Sequence, residues 1–221
     1  MPGRACLTTS RVLCRLAALG LVLFMASCGG SAPGNGDVEY IKRINAARER
    51  KDHAFANQPN EPIPTGKQQE FLPLSYFPPD PGYAVPATFK PENGPIVQMP
   101  TSGGKMRQMQ LVGTLEFTLK GRQLSLGSFV EAGDPPDRLF VPFADLTSGT
   151  ETYSAGRYIE LERSPSGVYV VDFNLAFHPY CYYNPDYDCP YPPPANRLPV
   201  PVHAGEKLRQ SNIPSAGHGA K

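Results

Sequence analysis

The residues able to do chemistry gather in the second half of the chain. Asp145 ends the run LFVPFAD (139–145), Arg157 opens RYIELER (157–163), and Asp172 and Asn174 close VYVVDFN (168–174). Each run is short, apolar and alternating, as in a half-buried strand. Leu139, Val141 and Phe143 point one way, and Asp145 continues that face. The loop Ser164-Pro165-Ser166-Gly167 makes RYIELER and VYVVDFN a hairpin. Pairing Arg163 with Val168 then puts Ile159, Leu161, Val168 and Val170 on the core face. The same register sets Ile159 opposite Asp172 and Arg157 opposite Asn174, so Arg157 is expected to reach Asp172 on the diagonal. Asp145, Arg157, Asp172 and Asn174 should therefore converge at one mouth of the fold. Glu151 and Tyr153 of the loop 147–156 would border it. Two chemistries fit. Buried charges need partners, so the cluster is an ion-pair network that pins the loop. Alternatively, an arginine beside two carboxylates separates their pKa values, giving Asp145 and Asp172 acid and base roles.

A second constellation is YCYYNPDYDC, residues 180–189, where Cys181 and Cys189 bracket a tyrosine-rich loop. It can be a disulfide staple, a zinc site that borrows His178, or a reactive thiol. The compartment discriminates among these. Arg4, Arg11 and Arg15 precede an apolar run from Leu16 to Met25, half the length that spans a bilayer. Met25-Ala26-Ser27-Cys28 follows, so residues 1–27 read as a lipoprotein signal peptide and Cys28 as the lipidated first residue of the mature chain. Export favours the Cys181–Cys189 disulfide, and His-x-x-Cys with a seven-residue gap is not a usual zinc spacing. No metal and no cofactor is expected. Losing the three leader arginines takes the formal charge from +1 to −2, which leaves no basic footprint for nucleic acid. The membrane, reached through the lipid on Cys28, is the expected partner. The place is the periplasmic face of the envelope, at an outer membrane if the cell has one, since glycine follows Cys28.

Other motifs are missing. Thr152-Tyr153-Ser154-Ala155-Gly156 is not the G-x-S-x-G of a serine hydrolase, and neither H-E-x-x-H nor a phosphate-cradling glycine loop occurs. Tyr180, Tyr182, Tyr183, Tyr187 and Tyr191 either pack across the disulfide or present ring faces to a sugar or peptide.

The elements that must position these groups are mostly strands. Residues 28–37 carry the lipid and a flexible tether. Asp37 is placed to cap a helix whose narrow stripe, Ile41, Ile44 and Ala47, lays it on the surface of the domain. Residues 56–70 read as an extended loop, and the proline-broken stretch 71–91 as edge strands. From Gln110 the alternation of Leu111, Gly113, Leu115, Phe117 and Leu119 gives a half-buried strand. Lys120-Gly121 turns it back into RQLSLGSFVE. The expected fold is mainly β: one antiparallel barrel or sandwich with an N-terminal helix and a disulfide-closed loop, spanning 38–207. Residues 208–221 read as a disordered tail.

Two blocks carry a resemblance: LFVPFADLTSGTETYSAGRYIELE and VDFNLAFHPYCYYNPDYDCPYPPPANRLPVPVHAGEK. They resemble the bacterial family filed as domain of unknown function 1684, from about Asp52 to Lys207. Asparagine and proline are usual in that family where this chain has His178 and Tyr180. The resemblance implies an uncharacterised domain and supplies no activity. The expected role is a binding or interaction module for an envelope glycan or peptide, with Asp145, Glu151, Tyr153, Arg157, Asp172 and Asn174 as ligand-binding candidates. The alternatives are an envelope hydrolase acting on a glycan or ester through Asp145 and Asp172, and a structural envelope component.

Overall fold

A computed structural model describes residues 35–57, 62–135 and 137–209. The stretch read as a signal peptide, Cys28, the part of the expected tether before Asn35, and residues 210–221 of the expected tail lie outside the described residues. In chain order the elements are α1 (Asn35–Asn57), α2 (Gln68–Phe71), β1 (Ala84–Pro91), β2 (Ile96–Pro100), β3 (Met106–Leu119), β4 (Arg122–Glu131), β5 (Arg138–Phe143), β6 (Arg157–Glu162) and β7 (Val168–Asp172).

The β3–β4 hairpin is the centre of the sheet, and its turn is the expected one. Lys120 and Gly121 both take positive φ, 47° and 79°, the backbone that a two-residue turn between twisted strands requires. Leu115, Phe117 and Leu119 face inward as the alternation demands. Leu111 does not, because the register shifts between Leu111 and Gly113. That bulge sends Met109 and Leu111 into a second apolar cluster with Met99, Phe129 and Phe140.

The sheet is antiparallel and runs β6-β5-β4-β3-β1-β7, with β2 added on β3. It curls until its two end strands approach. Tyr158 of β6 and Phe177, just past β7, exchange both backbone hydrogen bonds at 2.9 and 3.0 Å. The barrel is nearly closed. Its core includes Leu115, Leu126, Val141, Phe143, Val171 and Phe173, all with no exposed surface.

Three expectations change here. First, β6 and β7 form no hairpin ladder: β7 pairs with β1, which matches Val85 with Val171 and Ala87 with Tyr169. Tyr169 and Val171 are therefore buried, while Val168 and Val170 are more than half exposed. A one-residue slip reverses every side chain, and four apolar or aromatic residues in a row could not fix the face. Second, β1 is interior, not an edge. Its Pro86 is accommodated because pairing toward β3 begins only at Ala87. Third, residues 68–71 form a helical turn, and Leu208 and Arg209 belong to the body. Leu208 is buried, and Arg209 donates to the carbonyls of Gln69, Glu70 and Leu72.

Helix α1 is present and lies against the barrel. Ile44 and Phe55 are buried. The rest of its inward face is polar: Tyr40, Arg48, Lys51 and Asp52 all bond to the body. Spacings of three and four put these residues on one side. No described helix is long and apolar enough to cross a membrane.

Candidate functional site

The anticipated cluster is split in two. Arg157 sits at the start of β6, fully buried, and pairs with Asp145 and not with Asp172. Its Nη2 donates to Asp145 Oδ2 at 2.7 Å and to the Val202 carbonyl at 2.8 Å. Nη1 donates to the carbonyls of Ala204 and Glu206, the latter at 3.1 Å. The segment 202–206 belongs to no strand ladder, and its carbonyls at residues 202, 204 and 206 all turn to Arg157. The guanidinium stands in for the missing strand. Asp145 is occupied as well, since Oδ1 accepts from the Thr147 N–H at 2.6 Å and its hydroxyl at 2.5 Å. The loop 147–156 is pinned by these bonds. Gly156 must precede Arg157 because φ there is +91° and a Cβ would fall 2.5 Å from the Phe143 carbonyl.

Asp172 and Asn174 lie under α1. Tyr40 donates to both oxygens of Asp172, at 2.7 and 2.9 Å, and Asn174 N–H donates to Oδ1 at 3.0 Å. The Asn174 amide bridges onward to Asp80, accepting from its N–H at 2.9 Å and donating to its carbonyl at 2.8 Å. Of the remaining candidates, Glu151 is half exposed and meets His203 Nε2 at 3.0 Å. Tyr153 packs its ring 5.2 Å from Tyr182. Burial and the adjoining Cys181 push its phenol up to about 12.

A third buried centre was not anticipated: Glu206, 1 % exposed. Lys51 of α1 donates to Oε1 at 2.6 Å, while the His178 N–H and the Tyr183 hydroxyl donate to Oε2, each at 2.7 Å. Burial alone would raise this carboxyl, but the Lys51 ammonium overrides it and holds the group below its usual value. His178 is buried and neutral, driven down to about 3 chiefly by desolvation. Its Nε2 accepts from the Tyr153 N–H at 3.3 Å, and its Nδ1 lies 3.8 Å from Glu206 Oε2. Gly205, like Gly156, takes positive φ (+76°), and a Cβ would fall 2.5 Å from the Ala176 carbonyl. The only sequence signal for this centre was the phase of Tyr40, Arg48 and Lys51 along the helix.

The two cysteines meet but are unbonded thiols in this structure, with the Cys181 N–H 3.2 Å from Cys189 Sγ. Hydrogen bonding from the Cys189 thiol is the main cause that brings Cys181 down to about 6. Their loop is tied to the β2–β3 turn: Cys189 N–H donates to Ser102 Oγ at 3.0 Å, and Asp188 Oδ1 accepts from the Gly103 N–H at 2.7 Å. Among the described residues, no three His, Cys, Asp or Glu side chains are grouped to hold a metal ion.

Beside this loop, on the outer face of the sheet, lies an open cleft of about 910 Å³. Its floor is a row of rings. Phe140 meets Tyr158 edge-on at 4.7 Å, and Tyr158 meets Phe177 at 5.9 Å. The Tyr158 hydroxyl donates to the Pro190 carbonyl, which orients the middle ring. Tyr180 and Tyr187, stacked edge-on at 5.3 Å, face the floor from the cysteine loop. None of the acidic or arginine candidates named from the sequence lines this cleft, whereas the tyrosine-rich loop does.

Fold and site define a small, nearly closed antiparallel barrel with buried ion pairs and an aromatic outer cleft. The chain belongs to the family described as Protein of unknown function (DUF1684), whose model matches residues 69–207. It is similar to an uncharacterized protein of Haloarcula marismortui with a solution NMR structure. The two share 38% identity at a TM-score of 0.62, over 79% of this chain and 98% of that one. No curated protein matches.

Proposed function

We propose that this protein is a binding module of the cell envelope, anchored by lipid on Cys28, that takes its ligand in the aromatic cleft beside the cysteine loop. One contrast carries the reading. The charged candidates inside the barrel are bonded to protein partners, while the row of rings at Phe140, Tyr158 and Phe177 borders open space. Concave sites with an apolar floor and a few polar groups are where small ligands and peptide side chains bind. Hydrolysis by Asp145 and Asp172 finds no support in this geometry, because a base engaged by Arg157 or Tyr40 has little capacity left for a proton. Melting the mature protein with envelope glycans and peptides tests the module, since a ligand specific for the folded state raises Tm by mass action. Phe140→Ala should abolish the shift; a shift that survives it locates binding elsewhere. Intact mass of membrane-extracted protein tests the anchor: an acylated Cys28 N-terminus is expected, and a retained leader refutes it.

A further inference from the structure

We infer that the cleft is built for an organic cation: an amine or guanidinium carried on an apolar body. This rests on the binding-module reading above and names the ligand class for the same site.

The charges around the rings do not balance. Arg107 is paired with Glu131 at 3.3 Å and Arg138 with Glu160 at 3.0 Å. Lys51, the remaining cation of the lining, is held by Glu206 at 2.6 Å. Asp134, Asp137 and Asp186 also line the cleft, and no ion pair engages their carboxylates among the described residues. Asp188 also lines the cleft; its carboxylate is hydrogen-bonded to neutral groups at the β2–β3 turn and feels the charges of Lys105 and Arg107. The surplus is therefore negative, and it surrounds an aromatic floor.

Rings and carboxylates together favour cations for two separate reasons. The face of a ring is negative, so a cation held within about 6 Å of its centroid is attracted. Rim carboxylates add Coulomb attraction that weakens as salt rises. The molecule already shows the first interaction at one end of the cleft, where the Lys51 ammonium lies 4.7 Å from the centre of the Phe177 ring. Phe140 and Tyr158 continue that row in the cleft that the aspartates also line, with no cation of the protein over them among the described residues. An anion would meet repulsion from the same rim. A neutral sugar would use the rings but leave the aspartates without a role.

Three probes with one ring and different charges test the inference on the mature full chain: 2-phenylethylammonium, 2-phenylethanol and 3-phenylpropionate, titrated by NMR. The cation is expected to bind at least tenfold more tightly than either analogue, with perturbations at Phe140 and Tyr158. The triple variant D134N/D137N/D186N, all at exposed positions, should weaken it roughly five- to tenfold, as should raised salt. A phenylalanyl-lysine amide beside its Nε-acetyl form then distinguishes a peptide side chain from a free amine. If alcohol and carboxylate bind at the rings as well as the ammonium does, the cation inference fails while the cleft reading stands. If no probe perturbs Phe140 or Tyr158, both fail.

Discussion

Lys51→Met tests how the helix is held. The substitution keeps most of the side-chain stem and removes the ammonium 2.6 Å from Glu206, a carboxylate whose side chain is only 2 % exposed. Breaking one side of a buried pair costs about 3–5 kcal/mol, because the remaining charge keeps its desolvation penalty. Lys51 retains 26 % exposure, which favours the lower end, about 3 kcal/mol. For a domain of this size that lowers Tm by roughly 6–12 °C. Glu206→Gln keeps an oxygen to accept from His178 N–H and Tyr183, so in the double variant no charge is stranded. The coupling between the two changes should be at least about 1.5 kcal/mol, read from urea unfolding at pH 7 with an unchanged m value. Acid supplies an independent check. In the natural protein Glu206 is held low, so its contribution is present above the ordinary 4.5 and is lost as pH falls through the folded value. Without Lys51, burial holds the same carboxyl high, and protonation then relieves the variant. The gap between the two proteins should narrow as pH drops from 7 to 4. An additive double variant, or a gap that widens in acid, refutes this account of Glu206.

His178 predicts a slope of its own. Its folded value near 3 lies below the ordinary 6.5, so the unfolded chain gains a proton first and stability falls between those values by about 1.4 kcal/mol per pH unit. His178→Asn should flatten that part of the urea-derived stability profile, and an unchanged slope would show another group responsible. Tyr40→Phe removes the donor to Asp172 and an acceptor for Asn174. It should cost about 1–3 kcal/mol and speed amide exchange in α1; a loss confined to β7 would contradict a helix held through this hydroxyl. Mild oxidation should join Cys181 to Cys189, with a mass loss of two hydrogens and a gain of about 2–3 kcal/mol by the loop-closure argument. Alkylation of both thiols in protein isolated from cells without reductant would count against the staple.

Much of the barrel was legible because burial on one face writes itself as alternation. Leu115, Phe117 and Leu119 alternate with polar residues, and Lys120-Gly121 has few backbone options, so the β3–β4 hairpin followed directly. β7 was misassigned because VYVV has no polar residue to fix its phase, and the ladder partner that fixes it, β1, lies some eighty residues earlier. Asp145, Arg157, Asp172 and Asn174, which the sequence set at the ends of apolar rows, are buried. The sequence could not pair them, because the pairings depend on two segments without strand periodicity: the 202–206 run that Arg157 bonds and the helix that supplies Tyr40. Glu206 went unnoticed for the same reason. Its bonds come from Lys51, His178 and Tyr183, three separate places in the chain.

The two blocks that carry the family resemblance acquire a physical explanation from these bonds. A-G-R-Y and A-G-E each place a glycine, at a backbone angle that favours glycine, directly before a charged residue with almost no exposure. Arg157 serves carbonyls that a sheet would otherwise satisfy, and Glu206 binds the helix to the barrel. Charge is used here because a segment crossing the core outside any ladder leaves donors and acceptors that apolar side chains cannot answer. Such residues are fixed by folding whatever the protein binds. Residues that tune a ligand should instead lie where substitution leaves the fold intact, at the exposed rim of the cleft at Asp134, Asp137 and Asp186. Variants there should change binding without moving the melting temperature, whereas variants at Arg157 or Glu206 should move the melt first.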